Sequence, residues 1–133
     1  MRIKVIDSGY LTKRDTTNRE IFTVRVLIYE RDGHKYAMCL ELGILGMGKD
    51  VRSAMEDLVV LTEDHFRFMA HSKISVKNIP AADEYFMAFK NHAEKHRSKF
   101  LPVKKVDYEA ISKQYPRIFN PENPKHYEIR QPV

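Results

Sequence analysis

The chain of 133 residues has a single cysteine, Cys39. One thiol excludes an intrachain disulfide and a thiolate metal cluster. Cys39 lies between Met38 and Leu40 in a stretch that reads as a strand, where a free cysteine serves as a small buried hydrophobe. Long apolar runs are absent too. Nothing approaches the roughly 20 residues that span a bilayer, and the start, MRIKVIDSGY, lacks the apolar core of a signal peptide. The chain therefore reads as cytoplasmic, with no membrane partner. It also has no internal repeat and no low-complexity tract. Glycine is scarce, five in all, and three of the five fall between 43 and 48.

Acidic residues are outnumbered, 18 Asp+Glu against 23 Lys+Arg, for a net charge of +5. Residues 1–89 hold 13 basic and 13 acidic residues, so the excess lies wholly in residues 90–133, with 10 against 5. Lys95, Arg97, Lys99, Lys104 and Lys105 form the densest basic run, with Phe100 and Tyr108 interleaved. Phosphate contacts beside stacking aromatics would suit nucleic acid. The alternative is a solvated basic segment, diluted by Glu94, Asp107 and Glu109.

What is present in abundance is patterned apolar sequence between 21 and 69. Ile21–Glu30 is rich in β-branched and aromatic residues. Phe22, Val24, Val26 and Ile28 fall on one face; Ile21, Thr23, Arg25, Leu27 and Tyr29 fall on the other. Asp32-Gly33 tolerates positive φ and predicts a tight reversal. The return strand runs from His34 to about Leu42, with Tyr36, Met38 and Leu40 opposite Ala37, Cys39 and Glu41. A glycine-rich link over 42–49 leads to Asp50, a natural N-cap. From Val51 the spacing turns helical: Val51, Met55, Leu58, Thr62, His65 or Phe66, and Met69 make a stripe, widened by Ala54, Val59 and Leu61. Glu56, Asp57, Glu63, Asp64 and Arg67 fall away from it.

Around this segment, Arg2–Ile6 reads as a first strand that Tyr10-Leu11 can extend. Lys13–Glu20 reads as an exposed loop, and Lys73–Lys77 as a strand after the helix. A second helix is predicted from about Ala82 to Lys99, with Tyr85, Phe86, Phe89, His92 or Ala93, and His96 in its stripe. Pro102, Pro116, Pro121, Pro124 and Pro132 make the remainder irregular. Tyr115, Ile118, Phe119, Tyr127 and Ile129 make it too apolar for a free tail, so it should dock on its own domain or on a neighbouring subunit.

The signature Tyr29-Glu30-Arg31-Asp32-Gly33, Tyr36-Ala37, Leu40-Glu41-Leu42-Gly43, Gly46-Met47-Gly48, Ala54 and Leu58 resembles the HicB-like domain over residues 1–78. That family supplies the antitoxins of HicA–HicB toxin–antitoxin pairs. The resemblance implies an α+β fold, an antiparallel β-β-β-α-β sheet with one helix across it, followed here by a C-terminal helix and a proline-rich arm. It divides the chain into a HicB-like domain (1–78) and a docking segment (79–133). It further implies a non-catalytic protein acting by protein–protein contact, self-association, and a HicA-like ribonuclease toxin as partner. Many members also carry a helix-turn-helix or ribbon-helix-helix segment for DNA. Residues 79–133 match neither.

Three patterns invite other chemistry. Gly43–Asp50 nearly spells a phosphate-binding loop, but Asp50 stands where a metal-ligating hydroxyl belongs. His92 and His96, four apart on a helix, can face one metal, yet no third ligand adjoins them and Lys95 lies between. His65, His71, His92 and His96 are the residues around which a small enzyme would be built. None of these spacings calls for a cofactor or a catalytic group, and the expectation is a protein that is not an enzyme. The open alternative is a nucleic-acid-binding regulator using residues 95–108. Arg2–Ile6 or Lys73–Lys77 is the edge expected to receive a second chain.

Overall fold

The computed structural model describes residues 3–15, 17–71, 79–97, 111 and 127–130. Five strands form one antiparallel sheet: β1 (Lys4–Arg14), β2 (Glu20–Arg31), β3 (His34–Cys39), β4 (Ile44–Gly48) and β5 (Tyr127–Arg130). Their spatial order is β4-β3-β2-β1-β5. Two helices complete the described fold, α1 (Val51–His71) and α2 (Asp83–Lys95). The α+β architecture with an antiparallel sheet is as the sequence implies.

Strand alternation builds two cores on one sheet. Leu11, Phe22, Val24, Val26, Ile28, Ala37 and Cys39 face α1, which meets them with Ala54, Met55, Leu58, Phe66 and Met69. Tyr10, Leu27, Tyr29 and Leu40 face the other way and meet Phe89 and Ala93 of α2. The sheet is thus a middle layer, and its strands are apolar on both sides for that reason. Asp50 caps α1 as its position suggests, its Oδ1 accepting from the Ser53 amide at 2.7 Å.

The hairpin β2–β3 reverses through Asp32 and Gly33 at φ 51° and 79°, the paired left-handed conformation that matches strand twist. Elsewhere the sheet departs from expectation. The link over 42–49 is not a flexible connector: Ile44–Gly48 pairs with β3 in the register Cys39↔Ile44 to Lys35↔Gly48. Four strands therefore precede the helix. Glycine weakens a strand's sequence signal, but here it permits contact. A Cβ on Gly46 would lie 2.5 Å from the Ala54 carbonyl oxygen and the Leu58 nitrogen, so α1 rests directly on the β4 backbone. Gly46→Ala must push the helix outward and should cost about 1–3 kcal/mol, read as a lowered midpoint in denaturant unfolding.

Further corrections concern single side chains. Lys13 and Arg14 belong to β1 rather than to an exposed loop, and Lys13 is fully buried. The true turn is shorter. Asp15 Oδ1 holds it by accepting from the amides of Thr17 and Arg19, each at 2.9 Å. These bonds, the Arg19 amide first, hold the Asp15 carboxyl below its ordinary range. On α1, Phe66 takes the inward place and His65 is exposed; Leu61 is 37% exposed, while Glu63 turns inward. The helix predicted over 82–99 ends at Lys95, with His96 as its C-cap. The predicted strand Lys73–Lys77 lies outside the described residues, as does most of the proline-rich arm. One piece of the arm is described: Tyr127–Arg130 pairs with β1 in the register Lys13↔Tyr127 to Tyr10↔Arg130.

Candidate functional site

α2 is fixed across β1 and β2 by aromatic contacts and by a guanidinium over one of its rings. The Tyr10 and Phe89 rings meet edge to face at 5.8 Å, and Tyr85 meets Tyr29 at 5.9 Å. The Arg25 guanidinium lies 4.9 Å from the centre of the Phe86 ring, and its Nε donates to Glu41 Oε2 at 2.8 Å. Burial, then the neighbouring Tyr85 and Tyr36, push the Tyr29 hydroxyl up to about 12, so it stays protonated.

Where α2 ends beside the start of β1, the two elements enclose a cleft of about 490 Å³. Ile3, Val5, Ile6 and Ala88 form its apolar side; Asn91, His92, Lys95 and His96 form its polar side. His92 Nδ1 is hydrogen-bonded to Ser8 Oγ at 3.0 Å, across 84 positions of sequence. His96 Nδ1 lies 2.9 Å from the His92 carbonyl oxygen. A carbonyl only accepts, so that nitrogen carries the proton. Asp7 stands behind the pair, its Oδ1 accepting from the Ser8 amide at 2.8 Å.

The two imidazoles stack with centroids 4.1 Å apart and planes 28° apart. Burial, then His96, hold His92 below its ordinary pKa; Lys95 acts the same way and Asp7 opposes them. A histidine whose folded-state value is depressed binds fewer protons than the unfolded chain between its folded value and 6.5. Its contribution to stability is therefore complete above that window and is lost as pH falls through it.

The same stacking decides against a shared metal. Imidazole lone pairs lie in the ring plane, and nearly parallel planes do not converge on one ion. Among the described residues no group of three or more His, Cys, Asp or Glu is placed to hold a metal. His65 lies on α1, in the layer opposite His92 and His96, so these histidines share no site. The His71 side chain is outside the described residues. The near-match to a phosphate loop resolves likewise: it enters α1 from an antiparallel strand, and the Asp50 carboxylate occupies the helix start.

Of the basic residues expected at a nucleic-acid patch, Lys95 and Arg97 are described and exposed. Lys99, Lys104 and Lys105 lie outside the described residues. Lys95 turns out to line the histidine cleft.

A second surface lies at the far end of the same sheet face, beyond α2. Tyr36 pairs with Met47 and Met38 with Leu45. The first of each pair is half-buried, while Leu45 is 40% and Met47 52% exposed. Together they make an apolar strip on β3 and β4. Carboxylates border it. Asp57 reaches the β4 edge, its Oδ2 accepting from the Met47 amide at 2.9 Å. Asp83 and Glu84 open α2 just before Tyr85, next to Tyr29 and its stacked neighbour Tyr36. No ion pair engages these three among the described residues.

The β4 edge and the start of β1, which β5 leaves open, are poorly prepared for strand addition. The Met47 amide is already taken by Asp57. At the other edge, the expected receiving strand Arg2–Ile6 carries a register shift between Val5 and Asp7, and the Ser8 amide is taken by Asp7. Bulges and blocked amides discourage pairing there and favour contact through side chains. Sequence reasoning missed the strip because 42–49 read as a link. The signal was there: Leu45 and Met47 alternate with Ile44, Gly46 and Gly48.

No protein-family model, no curated protein and no solved structure matches the chain.

Proposed function

We propose that the chain is a non-catalytic protein of HicB-like fold that acts by docking a second protein, in the manner of an antitoxin neutralising a small ribonuclease toxin. One observation carries the reading: Leu45 and Met47 are exposed at the sheet edge beside half-buried Tyr36 and Met38, making one apolar strip. Its border of Asp57, Asp83 and Glu84 suits a basic partner, because complementary charge steers encounter and fixes register. The need for self-association is correspondingly weaker. The resemblance implies self-association, while α2 covers the β1–β2 part of the second sheet face within the chain.

The test is co-expression with the product of the adjoining gene, followed by affinity purification. The native chain should retain that partner, and Met47→Glu should weaken retention at least about tenfold, equivalent to about 1.4 kcal/mol. Met47 is exposed, so the variant should fold normally. Equal retention by both chains would refute docking at the strip. A lone chain that elutes as a dimer, and as a monomer after Met47→Glu, would assign the strip to a second copy instead.

A further inference from the structure

We propose that the cleft between β1 and the end of α2 binds a small amphipathic anion, an apolar body ending in a carboxylate. The site is independent of the strip on β3 and β4, and either stands without the other. Its volume of about 490 Å³ falls within the roughly 300–1,000 Å³ usual for small-molecule sites. Its two sides differ in chemistry. Ile3, Val5, Ile6 and Ala88 offer a surface that gains by excluding water. Lys95, His92, His96 and the Asn91 amide offer donors and positive charge.

Three features argue that the polar side takes an anion. First, no ion pair engages Lys95 among the described residues, although it lines the cleft. Second, both imidazoles have their Nδ1 atoms committed, one to Ser8 Oγ and one to the His92 carbonyl. The Nε2 atoms are left as the ring nitrogens able to donate to a ligand once the rings are protonated. Third, the last carbonyls of α2, which would repel an anion, accept from the His96 and Arg97 amides at 3.1 Å. The negative end of the helix is thereby partly spent.

Burial, then the stacked His96 and the nearby Lys95, make His92 resist taking up a proton. A bound carboxylate reverses that balance. Affinity should therefore rise as pH falls below 6.5 and His92 takes up its proton. The charged groups facing His92 are Asp7 from β1, and Lys95 and His96 from its own helix.

The experiment is a titration of the isotopically labelled protein with octanoate, followed by NMR. Octanoate should saturate, shifting the side-chain nitrogens of His92 and His96 together with the amides of Val5 and Ala88. Octylamine, a cation of the same chain length, and acetate, which lacks the apolar body, should shift them far less. Lys95→Ala should weaken octanoate about tenfold, the scale of one charge-assisted hydrogen bond. Lys95 is exposed on the last turn and alanine keeps the helix, so an unchanged spectrum elsewhere will show the fold intact. Equal binding of octylamine, or octanoate shifts that ignore Lys95→Ala, would overturn the proposal. Inorganic phosphate reproducing the histidine shifts without those of Val5 and Ala88 would also overturn it, and would point to a nucleic-acid backbone.

Discussion

Lys13→Ala should destabilise the protein by about 3–5 kcal/mol, and Glu63→Ala by a similar amount. Lys13 Nζ and Glu63 Oε1 are 2.6 Å apart, with side chains 0% and 4% exposed. The pair joins the middle of α1 to β1, and β5 seals it: the Tyr127 ring lies 4.4 Å from the ammonium. Thr62 lines the same layer, its hydroxyl donating to the Leu58 carbonyl at 2.7 Å, while the Thr12–Thr23 pair, bonded at 2.8 Å, faces the other side of the sheet. Two charges taken from water are costly, and their proximity, with the Tyr127 ring beside the ammonium, offsets the cost. Removing one strands the other, which is why each single variant should be worse than the loss of both. Lys13→Met combined with Glu63→Leu should be near neutral or more stable than the native chain. Denaturant unfolding of the native chain, Lys13→Met, Glu63→Leu and their combination forms a double-mutant cycle. Single variants within about 1 kcal/mol of native, the scale of an exposed pair, would show that water reaches the pair.

Gly43→Ala should cost about 2–5 kcal/mol, because it combines two penalties. Gly43 has φ 66°, a conformation that an L side chain resists. A Cβ there would also lie 1.9 Å from the Ile79 carbonyl oxygen, and backbone does not yield as a side-chain tip does. This is where the chain entering α2 is seated on the sheet, with the Ala81 amide donating to the Leu40 carbonyl at 2.9 Å. The loss should therefore appear first in α2. Amide exchange over 83–95 should accelerate well before that over 51–69. Uniform acceleration would mean that α2 is not separately seated, and unchanged exchange that Gly43 is dispensable.

The layer architecture was legible where burial imposes a period. The two faces of β2, the Asp32-Gly33 reversal and the Asp50 cap each follow from residues a few positions apart, and each appears as read. What escaped depends on partners far along the chain. Lys13 looked solvent-exposed because its carboxylate lies 50 residues on, and Glu63 looked exposed for the same reason. β4 read as a link because glycine's use there is to admit α1, which only the packed helix reveals. The cleft needs Ser8 against His92 and Ile6 against the end of α2, so no local spacing announces it. His92 and His96 were rightly placed on one helix face, but helical spacing does not distinguish chelating rings from stacked ones.

The central claim is that this chain works by presenting the β3–β4 strip to a basic protein partner. Amide exchange of the purified complex against the free chain tests it directly. The account predicts slowed exchange confined to residues 36–47 and to the α1 turn carrying Asp57, and it should persist in high salt because the contact is mainly apolar. Protection centred instead on 95–97, and abolished by salt, would contradict it and assign the chain to nucleic acid.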